Sequence, residues 1–137
     1  PSFSSAKRLT ALPAQRRLRG HRCFNFLHRS GRRHHGTLMI LRVVNGDARL
    51  LRKELRDVPS RGCRCALVIS SKVSKRAVRR NRLRRLLHAH LRERLEHRSD
   101  LANRWLLLSL RPEAAEAEPA QLLEECDSLL RSAGLET

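Results

Sequence analysis

Eight positively charged side chains are crowded into residues 72–85, and no acidic residue interrupts them. The eight are Lys72, Lys75, Arg76, Arg79, Arg80, Arg82, Arg84 and Arg85. The stretch lacks Pro and Gly and is rich in Arg, Leu and Ala, a composition that favours a helix. Like charges three or four residues apart destabilise a helix by mutual repulsion. A polyanion relieves that repulsion, so the stretch predicts binding of nucleic-acid phosphates.

Apolar residues recur at helical spacing and predict a helix that begins after Ser74 and ends around residues 97–100. They are Val73, Ala77, Leu83, Leu86, Leu87, Leu91 and Leu95. Arg80 and Arg84 interrupt this apolar face, so we expect the helix to be partly exposed, and Ser74 is its predicted N-cap. The alternative to nucleic-acid binding is a solvated basic face. Such faces normally mix in Glu, whereas Glu93 and Glu96 come only after the dense run.

No set of catalytic residues accompanies the cationic run. The sequence has no Gly-rich phosphate loop and no His-Glu-x-x-His motif. The acids of residues 1–112 are scattered, at Asp47, Glu54, Asp57, Glu93, Glu96 and Asp100. A metal-dependent nuclease needs converging carboxylates, and His88 and His90 are expected to be surface contacts rather than an acid–base pair. We predict no catalytic residues and no metal site, and binding rather than catalysis.

The charge is unevenly distributed along the chain. Among 137 residues, 30 are Lys or Arg and 13 are Asp or Glu, a formal net charge of +17. Residues 113–137 hold seven acids against Arg131 alone, so residues 1–112 carry +23. Nucleic acid and an anionic membrane surface both fit that charge. No apolar run approaches the ~20 residues that span a bilayer, and the basic helix lacks a bulky aromatic on its apolar side, so nucleic acid is favoured.

The cysteines are Cys23, Cys63, Cys65 and Cys126. No secretory signal peptide is recognisable, so we expect reduced thiols and a cytoplasmic protein. Cys63 and Cys65, with His21, His34 and His35, leave a zinc site open as an alternative. The Cys-x-Cys spacing is not a standard structural one, and plain buried or half-buried cysteines are favoured.

The remaining sequence predicts one domain. Residues 1–11 read as a disordered basic tail, residues 12–133 as the domain, and residues 134–137 as a second tail, with an insertion loop over residues 45–62. The predicted elements are a helix over 21–28, a helix over 120–132 that Gly134 stops, and strands over 36–44, 64–70 and 105–110. Two strands flanking a helix can run parallel through a crossover. We predict an α+β two-layer sandwich, a small central β-sheet covered by helices.

At the centre of the cationic run, two arginines flank an asparagine, and an aliphatic residue and two more arginines follow. The residues are Arg80, Asn81, Arg82, Leu83, Arg84, Arg85 and Leu86, preceded by Ser71 and Lys72 at the end of a predicted strand. This arrangement resembles the signature of the bacterial ribonuclease P protein family. Weaker likenesses occur at Phe24, at residues 12–19 and 105–112, and at residues 31–33, which resemble the family's small basic turn before the first strand. The resemblance therefore spans residues 12–130.

The resemblance implies the protein subunit of ribonuclease P, which removes the 5′ leader of precursor tRNA. The chain would be a non-catalytic accessory subunit, because in this family the partner RNA holds the Mg²⁺ ions and performs the chemistry. The implied partners are ribonuclease P RNA, in a 1:1 complex, and precursor tRNA, with no DNA and no membrane. The implied fold is a sheet with a left-handed β-α-β crossover around the basic helix.

The resemblance also implies the binding residues. Contacts to the catalytic RNA are Lys72, Lys75, Arg76, Arg79, Arg80, Asn81, Arg82, Arg84 and Arg85. Contacts to the single-stranded leader are Arg17, Arg19, Phe24, His28, Arg32 and Arg33. Stacking on an aromatic ring beside a basic groove is a usual way to hold unpaired nucleotides. His28 stands where the family often has a second Phe, and His88 where a further Arg is common, so leader stacking is expected to be weaker or pH-sensitive.

Three other functions would fit a basic α+β chain. A ribosomal or ribosome-assembly protein would bind ribosomal RNA and leave leader cleavage unchanged. A DNA-binding helix would usually come with a symmetric dimer or a second helix for groove docking, and nothing in the sequence suggests either. An autonomous nuclease lacks candidate metal ligands.

Overall fold

A computed structural model describes residues 21–46, 63–95, 98–101 and 103–135. Its elements are helix α1 (His21–Ser30), strands β1 (Arg32–His35), β2 (Met39–Asn45) and β3 (Arg64–Val68), helix α2 (Ala77–Leu95), strand β4 (Arg104–Leu110) and helix α3 (Pro119–Ser132). Short 3₁₀ turns, Ser99–Leu101 and Pro112–Glu116, precede β4 and α3. The predicted tail 1–11, most of the predicted loop 45–62, and Arg17 and Arg19 lie outside the described residues.

The strands of the described residues form one four-stranded sheet in the order β1-β2-β4-β3. β1 pairs with β2, and β2 with β4, in antiparallel fashion. β3 and β4 are parallel neighbours, and α2 lies between them in sequence. The predicted parallel pair joined through the basic helix is therefore confirmed.

The residues of β4 alternate between two apolar clusters on opposite faces of the sheet. Leu106, Leu108 and Leu110 belong to the larger cluster, to which α2 and α3 contribute their leucines. Trp105 and Leu107 belong to a smaller cluster with residues of α1. The predicted α+β fold is confirmed, and α1 in addition covers part of the second face.

Helix α1 is held to its face of the sheet by two buried residues and one aromatic contact. Cys23 and Leu27 are 1% and 0% exposed and pack with Ala66 and Leu107. The Phe26 ring meets the Trp105 ring edge-on, with centroids 6.0 Å apart and planes at 86°. An edge-to-face pair of this kind stabilises beyond the area it buries.

The strand predicted over residues 36–44 is in fact the second strand of a hairpin. β1 begins at Arg32, which the sequence placed in a turn, and β2 begins at Met39. The four residues of β1 are all basic and give no apolar alternation, so only pairing with β2 defines the strand. The α3 residue Glu125 holds the connecting turn, because its carboxylate accepts hydrogen bonds from the N–H groups of Thr37 (3.1 Å) and Leu38 (2.7 Å).

Helix α2 begins later than predicted, at Ala77. The hydroxyl of Ser74 accepts a hydrogen bond from the N–H of Arg76 at 3.2 Å, which closes a turn before the helix rather than capping it. The prediction of Ser74 as N-cap is wrong for this reason. Lys75 and Arg76 consequently precede the helix, as Lys72 does, instead of lying on it.

Helix α3 has well-defined ends. The N–H of Glu118, the N-cap, donates to the side-chain oxygen of Gln121 at 2.8 Å. At the other end Gly134 adopts a φ of 76°, and the N–H of Leu135 donates to the carbonyl of Leu130 at 2.9 Å. This is a Schellman ending, which favours glycine because the left-handed region is strained for other residues. The predicted stop at Gly134 is confirmed.

Candidate nucleic-acid interface

The apolar face of α2 anchors one half of the helix and leaves the other half exposed. Leu87, Leu91 and Leu95 are 0–1% exposed in the larger core cluster. Leu83 is only partly buried, and Ala77 is exposed, so the expected extension of the apolar face to Ala77 is wrong. The first turns of α2 therefore project their charges into solvent, where a large ligand can reach them.

Three arginines of the cationic run (residues 72–85) are held in place by hydrogen bonds within the chain. Arg80 Nη1 donates to the carbonyl of Ser74 at 2.8 Å, across the turn that precedes α2. Arg84 Nη1 donates to Asn81 Oδ1 at 2.9 Å, one turn away on the same helix. Arg79 Nη2 donates to the carbonyl of Ala115, in the 3₁₀ segment before α3. These contacts fix the positions of three of the predicted RNA contacts.

The remaining cations of the run over residues 72–85 are exposed. They are Lys72, Lys75, Arg76, Arg82 and Arg85. Within the described ranges, no hydrogen bond or ion pair engages their side chains. Their charges are consequently available to phosphates. The structure thus divides the predicted RNA contacts into a braced set and a free set, which the sequence did not distinguish.

The C-terminal half of α2 is clamped to the acidic helix α3 by one carboxylate. Asp127 Oδ1 lies 2.7 Å from His90 Nε2, and Asp127 also accepts from Arg94 Nε and Nη2 at 3.2 and 3.1 Å. His88 and His90 are 7% and 9% exposed, so the prediction that they are surface contacts is wrong. The side of α2 that packs inwards is wider than its leucine spacing indicates, because α3 lies against it.

A second contact pins the end of α3 to the segment after α2. Arg98 Nη1 donates to the carbonyl of Leu135 at 2.8 Å, and the same guanidinium makes two 3.1 Å hydrogen bonds to Asp100. The hydrogen bonds between Arg98 and Asp100 raise the pKa of Arg98 and lower the pKa of Asp100. The carboxylates of Asp100 and Asp127 therefore serve internal contacts.

Of the predicted leader residues that the structure describes, Phe24, His28 and Arg33 lie on the α1 side of the sheet, whereas Arg32, paired with Val43 of the larger cluster, lies on the opposite face. Phe24 is half-buried against the smaller cluster, and His28 is exposed one turn later on α1. Arg32 and Arg33 are exposed on β1 rather than in a turn. Sheet pairing places Arg33 directly opposite Arg42 of β2.

Sequence reasoning missed Arg42. Its side chain is partly buried, and its Nε atom is buried without a hydrogen-bond partner among the described residues. Burial lowers the pKa of Arg42, as does the nearby charge of Arg33. Burial, and then the charge of Arg42, lowers the pKa of His28. Arg33 and Arg42 are therefore neighbouring cations on the α1 side of the sheet, and the charge of Arg42 acts on His28 of α1. The sequence feature that could have identified Arg42 is a single arginine flanked by apolar residues within a strand.

The four cysteines are buried and free of disulfides, which confirms the prediction of buried thiols. Burial raises the pKa of Cys23, although the charges of Arg22 and Arg64 oppose it. Among residues 21–46, 63–95, 98–101 and 103–135, no group of three His, Cys, Asp or Glu side chains could hold a metal ion. Searching the same residues, we find no helix that is both long and apolar enough to cross a membrane.

The fold and this surface define a small basic α+β protein that presents the exposed start of one helix as a cationic face. A sequence model of the family Ribonuclease P matches residues 12–134. The ribonuclease P protein component of Parasynechococcus marenigrum strain WH8102 is 78% identical over 125 residues, covering 91% of this chain and 98% of the relative. The ribonuclease P protein component of Prochlorococcus marinus strain MIT 9313 is 58% identical over 124 residues, covering 90% of this chain and 97% of the relative.

The chain belongs to the ribonuclease P protein family, as the motif at residues 80–86 predicted. This family supplies the protein component of ribonuclease P, an endoribonuclease of tRNA processing, and membership implies an RNA partner. The Staphylococcus aureus RNase P protein superimposes with a TM-score of 0.69 at 17% identity, covering 89% of this chain and 98% of that one. The Thermotoga maritima RNase P protein superimposes with a TM-score of 0.58 at 16% sequence identity, covering 84% of this chain and 96% of that one. At such identities the likeness shows a shared fold.

Proposed function

We propose that the chain is the non-catalytic accessory subunit of ribonuclease P, binding the catalytic RNA in a 1:1 complex and assisting removal of the 5′ leader from precursor tRNA. The observation that carries the proposal is the set of exposed cations before and at the start of α2, whose side chains engage no partner within the described residues. Charges that are unneutralised in the protein gain most from phosphate, because binding also releases the counterions of the RNA.

The braced arginines give this surface a defined shape. Arg80 ties the first turns of α2 to the preceding turn, and Arg79 ties α2 to the segment before α3. Free cations on a fixed frame lose less conformational entropy on binding than cations on a mobile segment. We therefore assign most of the RNA affinity to Arg76, Arg82 and Arg85, and a positioning role to Arg79 and Arg80.

The α1 side of the sheet is the proposed leader surface. Phe24 supplies a partly exposed ring for base stacking, and Arg33 and Arg42 supply charge on the same side of the sheet. Leader contacts and catalytic-RNA contacts then occupy different parts of the molecule, so one subunit can hold both RNAs.

The proposal assigns Mg²⁺ and the phosphodiester chemistry to the partner RNA. In support, three carboxylates of the described chain are engaged in contacts that hold the fold together. Asp127 binds His90 and Arg94, Asp100 binds Arg98, and Glu125 binds the turn between β1 and β2. None of these is placed with other acids in a group that could hold a metal ion.

The experiment is leader cleavage of a precursor tRNA by bacterial ribonuclease P RNA at low Mg²⁺, with and without the full chain. We expect stimulation by the wild-type chain and a clear loss with Arg82→Ala. Arg131→Ala is the matched control, because it removes one exposed charge from the acidic helix α3. Absence of stimulation together with tight binding to ribosomal RNA would support a ribosomal role instead. Cleavage by the protein alone would mean that it has its own active site.

A further inference from the structure

A groove runs between the start of α2 and the start of α3. Its volume is about 520 Å³, within the roughly 300–1,000 Å³ typical of small-molecule sites. Arg79 and Arg82 line it from α2, Arg76 lines it from the residue before α2, and Pro119 and Leu122 line it from α3. None of the described residues that line it is acidic. The groove therefore combines positive charge with an apolar floor.

The three arginines differ in what holds them. Arg79 donates to the carbonyl of Ala115, so its planar guanidinium is fixed between the two segments that form the groove. Arg76 and Arg82 are exposed and make no side-chain hydrogen bond or ion pair with the described residues. They lie six residues apart, about 9 Å along the helix axis. The Arg79 guanidinium is thus held in one orientation, and the charges of Arg76 and Arg82, unpaired among the described residues, lie before and after it along the chain.

The apolar part of the groove is unusual for a surface so close to a cationic motif. Val78 is 68% exposed, and no other large hydrophobic residue in the described part of the chain is exposed. Leu122 is fully buried beneath the groove, and Ala117 and Pro119 complete its far side. A surface that bound duplex backbone alone would need charge and not this floor. Unpaired bases, in contrast, expose flat apolar faces that stack on guanidinium planes.

We propose that this groove receives one unpaired nucleotide of the partner RNA. The base lies against the apolar side chains of Val78 and Pro119, with the Arg79 guanidinium against its face, and the flanking phosphates contact Arg76 and Arg82. The proposal rests on the proposed function, since it names how the catalytic RNA is recognised. It adds that the cationic start of α2 recognises a single-stranded position of that RNA and is not a uniform phosphate-binding face.

The test fills the groove without changing the charge. Ala117 lines the groove and has an extended backbone, with φ −82° and ψ 145°, that accepts a larger side chain. Ala117→Phe should weaken binding of the full chain to bacterial ribonuclease P RNA by about tenfold, the effect of losing one stacked base. Ala120→Phe is the matched control, because Ala120 is exposed on α3 outside the groove. It should change the affinity less than twofold.

A second measurement does not depend on how well Ala117→Phe folds. A photoreactive benzophenone amino acid in place of Val78, which is exposed and so tolerates replacement, should crosslink to an unpaired nucleotide of the RNA. Crosslinks only to paired nucleotides, or equal affinities of a folded Ala117→Phe and Ala120→Phe, would overturn the groove proposal while leaving RNA binding intact; the groove would then belong to another kind of partner. Failure of the wild-type chain to bind the RNA would instead refute the proposed function.

Discussion

Replacing Asp127 by Ala tests whether the acidic helix holds the cationic helix in place. The Asp127 carboxylate is 17% exposed and joins α3 to two residues of α2. It lies 2.7 Å from the ring nitrogen of His90, which is 9% exposed, and 3.1 Å from the guanidinium of Arg94, which is 40% exposed. Its removal leaves a buried imidazole N–H without this acceptor.

The expected loss of folding free energy follows from how exposed each of these side chains is. Leaving a buried donor unsatisfied costs about 1–3 kcal/mol, whereas a pair as exposed as Arg94 with Asp127 contributes roughly 0.5 kcal/mol after solvent screening. We therefore expect Asp127→Ala to lower the free energy of unfolding by about 1.5–3.5 kcal/mol. For a domain of about 120 residues this corresponds to a fall in Tm of roughly 10 °C.

The assay is urea unfolding of the full chain in a buffer that contains phosphate, because bound anions stabilise the basic folded state. Glu124→Ala is the control, since Glu124 is exposed on the same helix and removes the same charge. A double-mutant cycle with His90→Ala should give a coupling energy above about 0.5 kcal/mol. If Asp127→Ala and Glu124→Ala differ by less than about 0.5 kcal/mol, the clamp contributes nothing and the reasoning is wrong.

Three further predictions concern the RNA surface, the α1 side of the sheet and the core. Arg82→Ala should reduce the slope of log K against log salt for RNA binding by about 0.7–0.9, measured by filter binding. His28 has a lowered pKa in the folded chain, so the unfolded chain binds more protons and stability should fall as the pH is lowered through about 6.5. His28→Gln should remove this component from the pH profile of Tm. Leu91→Ala should cost about 2–5 kcal/mol in urea unfolding, because Leu91 is 1% exposed.

Each of these has a control in the same chain. Arg131→Ala should leave the salt slope unchanged, and an equal change in both variants would contradict the assignment of Arg82 to RNA. A wild-type pH profile that persists in His28→Gln would mean that another group titrates. Val78→Ala removes apolar atoms from an exposed position, so it should change stability by less than about 0.5 kcal/mol, and a loss as large as that of Leu91→Ala would refute the burial argument.

Features that depend on neighbours in sequence were predictable. The leucine spacing over residues 83–95 defines the buried side of α2, and the charge run over residues 72–85 defines its exposed start, because helix geometry alone converts spacing into a face. Branched apolar runs identified β2, β3 and β4, and Gly134 marked the end of α3. The motif at residues 80–86 identified the family. Each of these is a local property of the chain.

Features that depend on distant partners were decided only by the tertiary structure. β1 consists of basic residues and is a strand because β2 pairs with it. His90 is buried because Asp127, 37 residues away, lies against it. Arg79 is fixed, whereas Arg82 on the same helix is free, because the carbonyl of Ala115 lies within reach of Arg79. Sequence sets the charge of each side chain, but which charges are neutralised and which stay available to RNA depends on what folding places beside them.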